Sequence, residues 1–469
     1  MALGSSAGSA APGRVLRHVR NAGALLQHGA IALRRDALAI LDRVLTEVDP
    51  YDACRRALRL EGDTLHVGSL KVSAPPASRI WFFGAGKASL RIAQAVEEEL
   101  GKRLQGGLVV CKEGQEGELN RIDIRYANHP IPSQASIDAA RDMVARAALP
   151  RPGDVVLCGI TGGSSALLTL PGRGLGLDDV QALTKILLTC GASIFEINAV
   201  RKHLSEVGGG RLAQKFDADA SIVNLTVSDV IGDAPDYITD PTVPDTSTIA
   251  DARTTLDRYE LWDRISPALR AFLGPGGAVS ETPKALPWPP EYTHVLLSAS
   301  SPVDAARRAA EALGYRALIL STSFEGESQS LGEAFAAIAR EVALRGHPLS
   351  PPCALIGGGE TVVRIADYGG QGGPNQEFAL AGALQLPSSC PAIMLGADTD
   401  GTDGPTHVAG ALCDRSALER APALGIDLHQ ALYRHDVTPA LLGLNDAVIT
   451  GPTGTNVNDL KLLLVGAAA

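Results

Sequence analysis

The residues able to do chemistry lie in glycine- and hydroxyl-rich loops that follow short apolar runs. Phe83–Gly84–Ala85–Gly86–Lys87–Ala88–Ser89 places a lysine just after two glycines. Glycines let backbone N–H groups approach an anion, and a helix start adds partial positive charge. The loop therefore reads either as a phosphate cradle formed by Gly84, Gly86 and Lys87 or as a tight strand-to-helix turn. It is not a P-loop, because Trp81 and Ala88 stand where that motif needs Gly and Ser or Thr. As a dinucleotide fingerprint it is imperfect. Ser89 replaces the third glycine, and the next strand ends at Lys112, where that site favours an acid.

Thr161–Gly162–Gly163–Ser164–Ser165–Ala166 combines hydroxyls with glycines at a helix start, the composition of an oxyanion or phosphate nest. It approximates a nucleophile elbow, but Ala166 replaces the final glycine and no histidine is placed by sequence as a base. Asn198, Arg201, Lys202 and Ser205 recur at helical spacing before Gly208–Gly210. They form either a solvated face or a polar face aimed at a carboxylate or phosphate. Asp229 and Asp233 follow one apolar strand, and Asp398, Asp400 and Asp403 follow another. Such loops suit Mg²⁺ held by one or two carboxylates plus phosphate oxygens, or are plain Asp/Gly turns. Gly357–Gly358–Gly359–Glu360–Thr361, Asn375–Gln376–Glu377 and Gly451–Pro452–Thr453–Gly454–Thr455–Asn456 complete the set; the last contains no cation.

The elements behind these loops read as α/β. Ile80–Phe83, Leu108–Cys111, Val155–Ile160 and Ile222–Val227 are apolar without alternation, as expected for parallel strands covered on both faces. A helix is expected over 29–60. The Gly/Pro-rich stretch 274–292 is the expected linker. After it strands are expected at Val295–Ser298, Ala317–Leu320, Ala354–Ile356, Ala392–Leu395 and Leu462–Val465. The expected organisation is a flexible extension over 1–28, a Rossmann-like domain over 29–285 and a smaller α/β domain over 290–469.

Among 469 residues, 42 are Lys or Arg and 52 Asp or Glu, a net charge of −10, which argues against a broad nucleic-acid surface. Seven dispersed cysteines give no disulfide framework or zinc spacing, which suits a reducing compartment. The longest uncharged stretch, 378–397, contains two prolines and reads as helix, turn and strand rather than a membrane span. A cytoplasmic protein is expected.

Taken together, the segments Gly84–Ser89, Asn128–Pro132, Thr161–Leu167, Asn198–Gly210, Ser228–Asp233, Gly357–Thr361, Gly373–Glu377, Asp398–Pro405 and Gly451–Leu460 resemble the glycerate 2-kinase family. The C-terminal part of that family is called the MOFRL domain, here about 352–466. The resemblance implies a Rossmann-like N-terminal domain and an active site between domains. It implies transfer of the ATP γ-phosphate to the 2-hydroxyl of D-glycerate, with a divalent metal, by a monomer or homodimer.

By position, Lys87 matches the family's glycine-flanked lysine, Asn198 and Arg201 its polar helix, and Asp229 its acidic loop. The roles expected are catalysis by Lys87, Asp229 and Arg201, and substrate binding by Ser164, Ser165, Asn198 and Lys202. Nucleotide contacts are expected from Gly84, Gly86, Gly162, Gly163, Gly358, Glu360, Asn375, Glu377, Thr453, Thr455 and Asn456. Metal ligation is expected from Asp229, Asp233, Asp398 and Asp400. Two positions depart from many members: Pro374 stands where an arginine is common, and Thr239–Asp240–Pro241–Thr242 replaces Ser-Gly-Pro-Thr. Arg201, Lys202 or Arg364 would then stand in for the missing arginine. The alternatives are an NAD(P)H-dependent hydroxypyruvate reductase and a non-catalytic binding protein for small hydroxy acids.

Overall fold

Asp49 and Pro50 decide how the N-terminal helical pattern ends. The helix Ile31–Glu47 stops before them; Asp49 then accepts a hydrogen bond from the Tyr51 amide and Pro50 opens a second helix, Pro50–Ala57. The single helix expected over 29–60 is thus two helices followed by a strand. The computed structural model describes residues 16–228, 240–288, 292–365 and 369–467. The chain divides into a central unit, Glu47–Pro302 with Gly454–Asn458, and a terminal unit, Met1–Thr46, Val303–Thr453 and Asp459–Ala469.

In the central unit, β1 (Leu58–Glu61), β2 (Thr64–Val67) and β3 (Leu70–Ser73) form a small antiparallel sheet that the apolar runs did not announce. The main sheet contains β4 (Ile80–Ala85), β5 (Leu104–Lys112), β6 (Ile122–Ala127), β7 (Val155–Ile160), β8 (Ser221–Val227) and β9 (Thr293–Leu297). Every pairing is parallel, in the order β6-β5-β4-β7-β8-β9. This is the doubly wound order of a Rossmann-like sheet, and its switch point lies between β4 and β7. All six residues of β4 and of β7 are buried, which explains their unbroken apolar character. The strand expected to open the second series after the Gly/Pro-rich stretch is β9. It pairs with β8 and completes the first sheet.

The terminal unit holds a mixed sheet of β10 (Arg316–Phe324), β11 (Cys353–Gly359), β12 (Ala392–Asp398), β13 (Gly410–Asp414), β14 (Ala447–Val448) and β15 (Asp459–Val465). The order is β10-β11-β15-β12-β13-β14, and only β10 with β11 is parallel. The helix Pro374–Leu384 packs on it, with Phe378 meeting Phe335 edge-on at 5.0 Å. Among the described residues no helix is long and apolar enough to cross a membrane.

Residues 16–30, taken from the sequence as mostly extension, are anchored to this second sheet. The Asn21 amide donates to Ala447 O at 2.7 Å and its oxygen accepts from Ile449 N at 3.0 Å. Arg34, fully buried on the helix Ile31–Glu47, donates to Asp414 at 2.6 Å and lies 2.9 Å from Asp446. Burial works against ionisation of Asp414, but the guanidinium outweighs it and holds that carboxyl below its usual range. Removing one partner of a buried ion pair costs about 3–5 kcal/mol because the other charge is stranded. Arg34→Leu is therefore expected to lower the urea-unfolding free energy by about that amount. An unchanged midpoint would show that the cluster does not hold the N-terminal helix in place.

Candidate functional site

Parallel pairing brings two loops out of the sheet side by side at the switch point. Ala85 is in register with Ile160, so the lysine loop and the hydroxyl loop leave the sheet at the same level. They are locked together. Thr161 N donates to Ala85 O at 3.0 Å, Lys87 N to Gly162 O at 2.9 Å, and Ala88 N to Thr161 Oγ1 at 3.1 Å. Gly86 has φ +134°, and a Cβ there would sit 2.6 Å from the Thr161 carbonyl oxygen, so only glycine fits. Ser89 is fully buried and donates to Gly159 O at 2.7 Å. The departure from a dinucleotide fingerprint is therefore a further tie, from the start of the helix after β4 to β7.

These ties fix Lys87. Its backbone carbonyl accepts from Gln115 Nε2 at 2.6 Å, and the residue is half-buried. Gly163, at φ +84°, precedes the short helix Ser164–Leu167; a Cβ there would lie 3.6 Å from Lys87 Cγ and 3.0 Å from His129 Nε2. The lysine stem and the His129 ring thus flank the same glycine. His129 was not singled out from the sequence, although it lies inside the segment Asn128–Pro132. The signal was its place beside two prolines after β6; the proximity itself depends on the sheet order.

The polar helix Ile194–Leu204 is started by a reciprocal Ser193/Glu196 cap. Adjacent helical residues point in different directions, and Arg201 and Lys202 separate accordingly. Arg201 Nη2 donates to Ser165 Oγ at 2.9 Å. Lys202 is buried and bonds Asp245 at 3.1 Å. Asp245 also accepts from Thr282 Oγ1 at 2.8 Å and Ser247 N at 2.9 Å. Arg201, Ser165, Asn198 and Ser205 line a pocket whose apolar walls include Leu168 and Val180. Lys202 also contributes to the lining, but its ammonium is committed to Asp245. Asp229 and Asp233 lie outside the described residues.

In the terminal unit, the candidate nucleotide residues divide between surface and interior. Gly358 is buried within β11 and Glu360 is exposed just after it. Asn375 and Glu377 are both fully buried. Asn375 donates to Asp403 at 3.0 Å and to Asp459 at 2.8 Å, and accepts from Lys461 Nζ at 2.6 Å. Glu377 accepts from Gln329 at 2.7 Å and faces His435 Nδ1 at 3.0 Å. These two side chains tie the helix Pro374–Leu384 to its surroundings. Lys461, a charge within the apolar run of β15, carries no sequence signal of this role.

Asp398 ends β12 and Asp400 lies in the loop after it, with Asp400 N donating to Asp398 at 2.9 Å. Burial, then the negative charges of Asp400 and Asp459, push the Asp398 carboxyl well above its usual range. Thr453 packs on this loop, its Oγ1 donating to Thr399 O at 2.5 Å. Thr455 is buried and Asn456 half-buried. Among the described residues no three His, Cys, Asp or Glu side chains gather as a closed metal site. Arg364 is exposed.

The Lys202–Asp245 geometry generates a test. Burial alone would raise the Asp245 carboxyl, but Lys202, Thr282 and Ser247 together hold it below its ordinary value. Its stabilising contribution is therefore full above the unfolded carboxylate pKa and is lost as pH falls through the lower folded value. Lys202→Met is expected to cost about 3–5 kcal/mol in urea unfolding at neutral pH. Adding Asp245→Asn should recover much of it. Normal stability in Lys202→Met would contradict a pinning role.

The chain matches two family models. One is described as a domain of unknown function, DUF4147, over residues 36–274, and the other as the MOFRL family over residues 353–459. A protein of Pyrococcus horikoshii named glycerate 2-kinase is 37% identical over 439 residues, 93% of this chain and 98% of its own. One of Agrobacterium vitis named putative hydroxypyruvate reductase is 41% identical over 385 residues, covering 82% of this chain and 98% of its own. The crystal structure of a Thermotoga maritima glycerate kinase superposes with a TM-score of 0.80 at 37% identity, covering 92% of this chain and 99% of that one. Likeness of this extent, in sequence and in fold, means that the chain belongs to the glycerate 2-kinase family, with the MOFRL domain at its C-terminal end.

Proposed function

We propose that the protein transfers the γ-phosphoryl group of ATP to the 2-hydroxyl of D-glycerate, giving 2-phosphoglycerate and ADP. The observation that carries this reading is the switch-point junction: the Lys87 stem lies against Gly163 at the start of the hydroxyl loop, and Arg201 reaches Ser165 of the same loop. Phosphoryl transfer asks little covalent chemistry of a protein; it needs positioning and stabilisation of charge on the transferred group. The Lys87 ammonium and the Gly162–Ser164 amides are assigned to the transferred phosphoryl oxygens. Arg201, with Ser165 and Asn198, is assigned to the glycerate carboxylate, which a guanidinium grips through two parallel hydrogen bonds. Asp229, or Asp233, is assigned as the base for the 2-hydroxyl on sequence alone.

Asp398 and Asp400 fit a hard divalent cation, because two half-buried carboxylates two residues apart at the end of β12 suit an ion whose remaining ligands are phosphate oxygens. Magnesium bound there would neutralise charge on the phosphate oxygens of ATP. The name borne by the Agrobacterium relative keeps a reductase in view. Against it, Ser89 ties the start of the helix after β4 to β7 where a dinucleotide loop carries its third glycine.

The test is a product assay with ATP, Mg²⁺ and D-glycerate, coupled to enolase so that only 2-phosphoglycerate is read. Lys87→Ala is expected to lose about 10²-fold or more in kcat, the scale for removing one preorganised donor to developing charge. Arg201→Ala is expected mainly to raise the glycerate KM. Oxidation of NADH or NADPH by hydroxypyruvate, with no enolase-coupled signal, would replace the kinase with the reductase. Near-normal turnover in Lys87→Ala would remove that residue from the mechanism.

A further inference from the structure

The loop 450–453 lacks a basic residue of its own, and the fold supplies one from far away in sequence. Arg20 N donates to Ile449 O at 2.8 Å, and the neighbouring Asn21 bonds Ala447 O and Ile449 N, so this stretch runs beside β14 as an added edge. Val19 and Leu25, on either side, are buried at 5% and 0% exposure. The backbone is thereby fixed while the Arg20 side chain is left exposed. Its guanidinium lies against Gly451: a Cβ there would sit 2.5 Å from Arg20 Cζ and 2.8 Å from Nη1. Gly451 has φ +73°, and the absence of a side chain is what makes room for the planar group.

The surroundings are those of the acidic loop. Gly401, at φ +91°, packs on Gly451, a Cβ there lying 3.0 Å from the Gly451 carbonyl carbon. Thr453 N donates to Asp400 O at 3.2 Å, and Thr402 Oγ1 donates to the Asp400 carboxylate at 2.6 Å. One patch thus presents an exposed guanidinium on a fixed backbone, two close-packed glycines, several hydroxyls and a carboxylate pair. A magnesium-bearing phosphate chain complements that mixture. Its oxygens suit the guanidinium fork, and its cation suits the carboxylates. Arg20 lies outside both segments matched by the family models, 36–274 and 353–459.

We propose that Arg20 is a phosphate-binding residue for the nucleotide, delivered by the N-terminal segment to the Gly451 loop. The proposal rests on the kinase reading for the identity of the ligand. Its test is calorimetric titration of Mg²⁺–ADP into the full chain and into Arg20→Ala, Arg20→Gln and Arg20→Lys. ADP is used so that binding is read without the acceptor. Loss of a hydrogen bond to a charged group predicts about 10- to 100-fold weaker binding for Arg20→Ala and Arg20→Gln, with Arg20→Lys between them and the wild type. The KM for ATP should rise in parallel, and kcat at saturating ATP should stay within about twofold, since the interaction is with the bound nucleotide rather than the transition state.

Arg20→Gln keeps most of the stem, so an unfolding midpoint equal to wild type excludes a packing role. Wild-type affinity in both neutral variants overturns the proposal, as does a raised Mg²⁺ requirement with unchanged nucleotide affinity. A wild-type chain that binds ADP in an Arg20-dependent way but leaves glycerate untouched refutes the acceptor assignment and upholds Arg20. A wild-type chain that binds no ADP overturns both.

Discussion

The absence of a side chain at Gly86 is the constraint on which the site depends. With φ at +134° and the Thr161 carbonyl where a Cβ would go, the lysine loop closes directly onto the hydroxyl loop. The backbone bond from Lys87 to Gly162 and the Thr161 hydroxyl on Ala88 then hold both loops as one piece. A flexible lysine gains catalytic use only when its stem is held, because ordering a long side chain at the moment of reaction costs entropy. Here the sheet and the glycine hold the lysine backbone, and Gly163 lies beside its stem, before any ligand arrives. The doubly wound strand order determines which two loops meet, since only neighbours at the switch point open a crevice between them.

Burial separates several paired cations of this chain from those at the candidate sites. Arg34, Lys202 and Lys461 are each buried and matched to aspartates: Asp414 with Asp446, Asp245, and Asp459. Such pairs are architectural, because a buried charge that left its partner for a ligand would strand the other. Lys87 and Arg201 are half-buried, and Arg20 is exposed. The Arg201 guanidinium meets Ser165, the Arg20 guanidinium meets Gly451, and the Lys87 stem lies beside Gly163. In a chain with nine lysines and a net charge of −10, anion binding has to come from such local placement.

Much of this was legible in the sequence, and the limits have physical causes. Apolar runs followed by glycine loops located β4 and β7 and the two loops that meet, because local composition encodes a covered strand and the turn after it. Helical spacing found the face bearing Asn198 and Arg201. It could not say that Lys202 turns inward, because its partner Asp245 is 43 residues away. Asn375 and Glu377 read as ligand groups for the same reason: their partners Asp403, Asp459, Gln329 and His435 come from other elements. The strand direction in the terminal sheet was hidden, since a fully buried antiparallel strand such as β15 is as apolar as a parallel one. The anchoring of residues 16–30 was hidden too, because Asn21 and Arg34 act through residues more than 350 positions later.

The central claim is that the transferred phosphoryl group lies on the junction of the Lys87 and Thr161–Ser165 loops. A crystal structure with ADP, D-glycerate and a planar phosphoryl mimic such as aluminium fluoride tests it most directly. The mimic is expected within hydrogen-bonding distance of Lys87 Nζ and of an amide in the Gly162–Ser164 turn, with the glycerate carboxylate on Arg201. A mimic bound away from that junction, with Lys87 Nζ turned from it, would rule out transfer at these two loops.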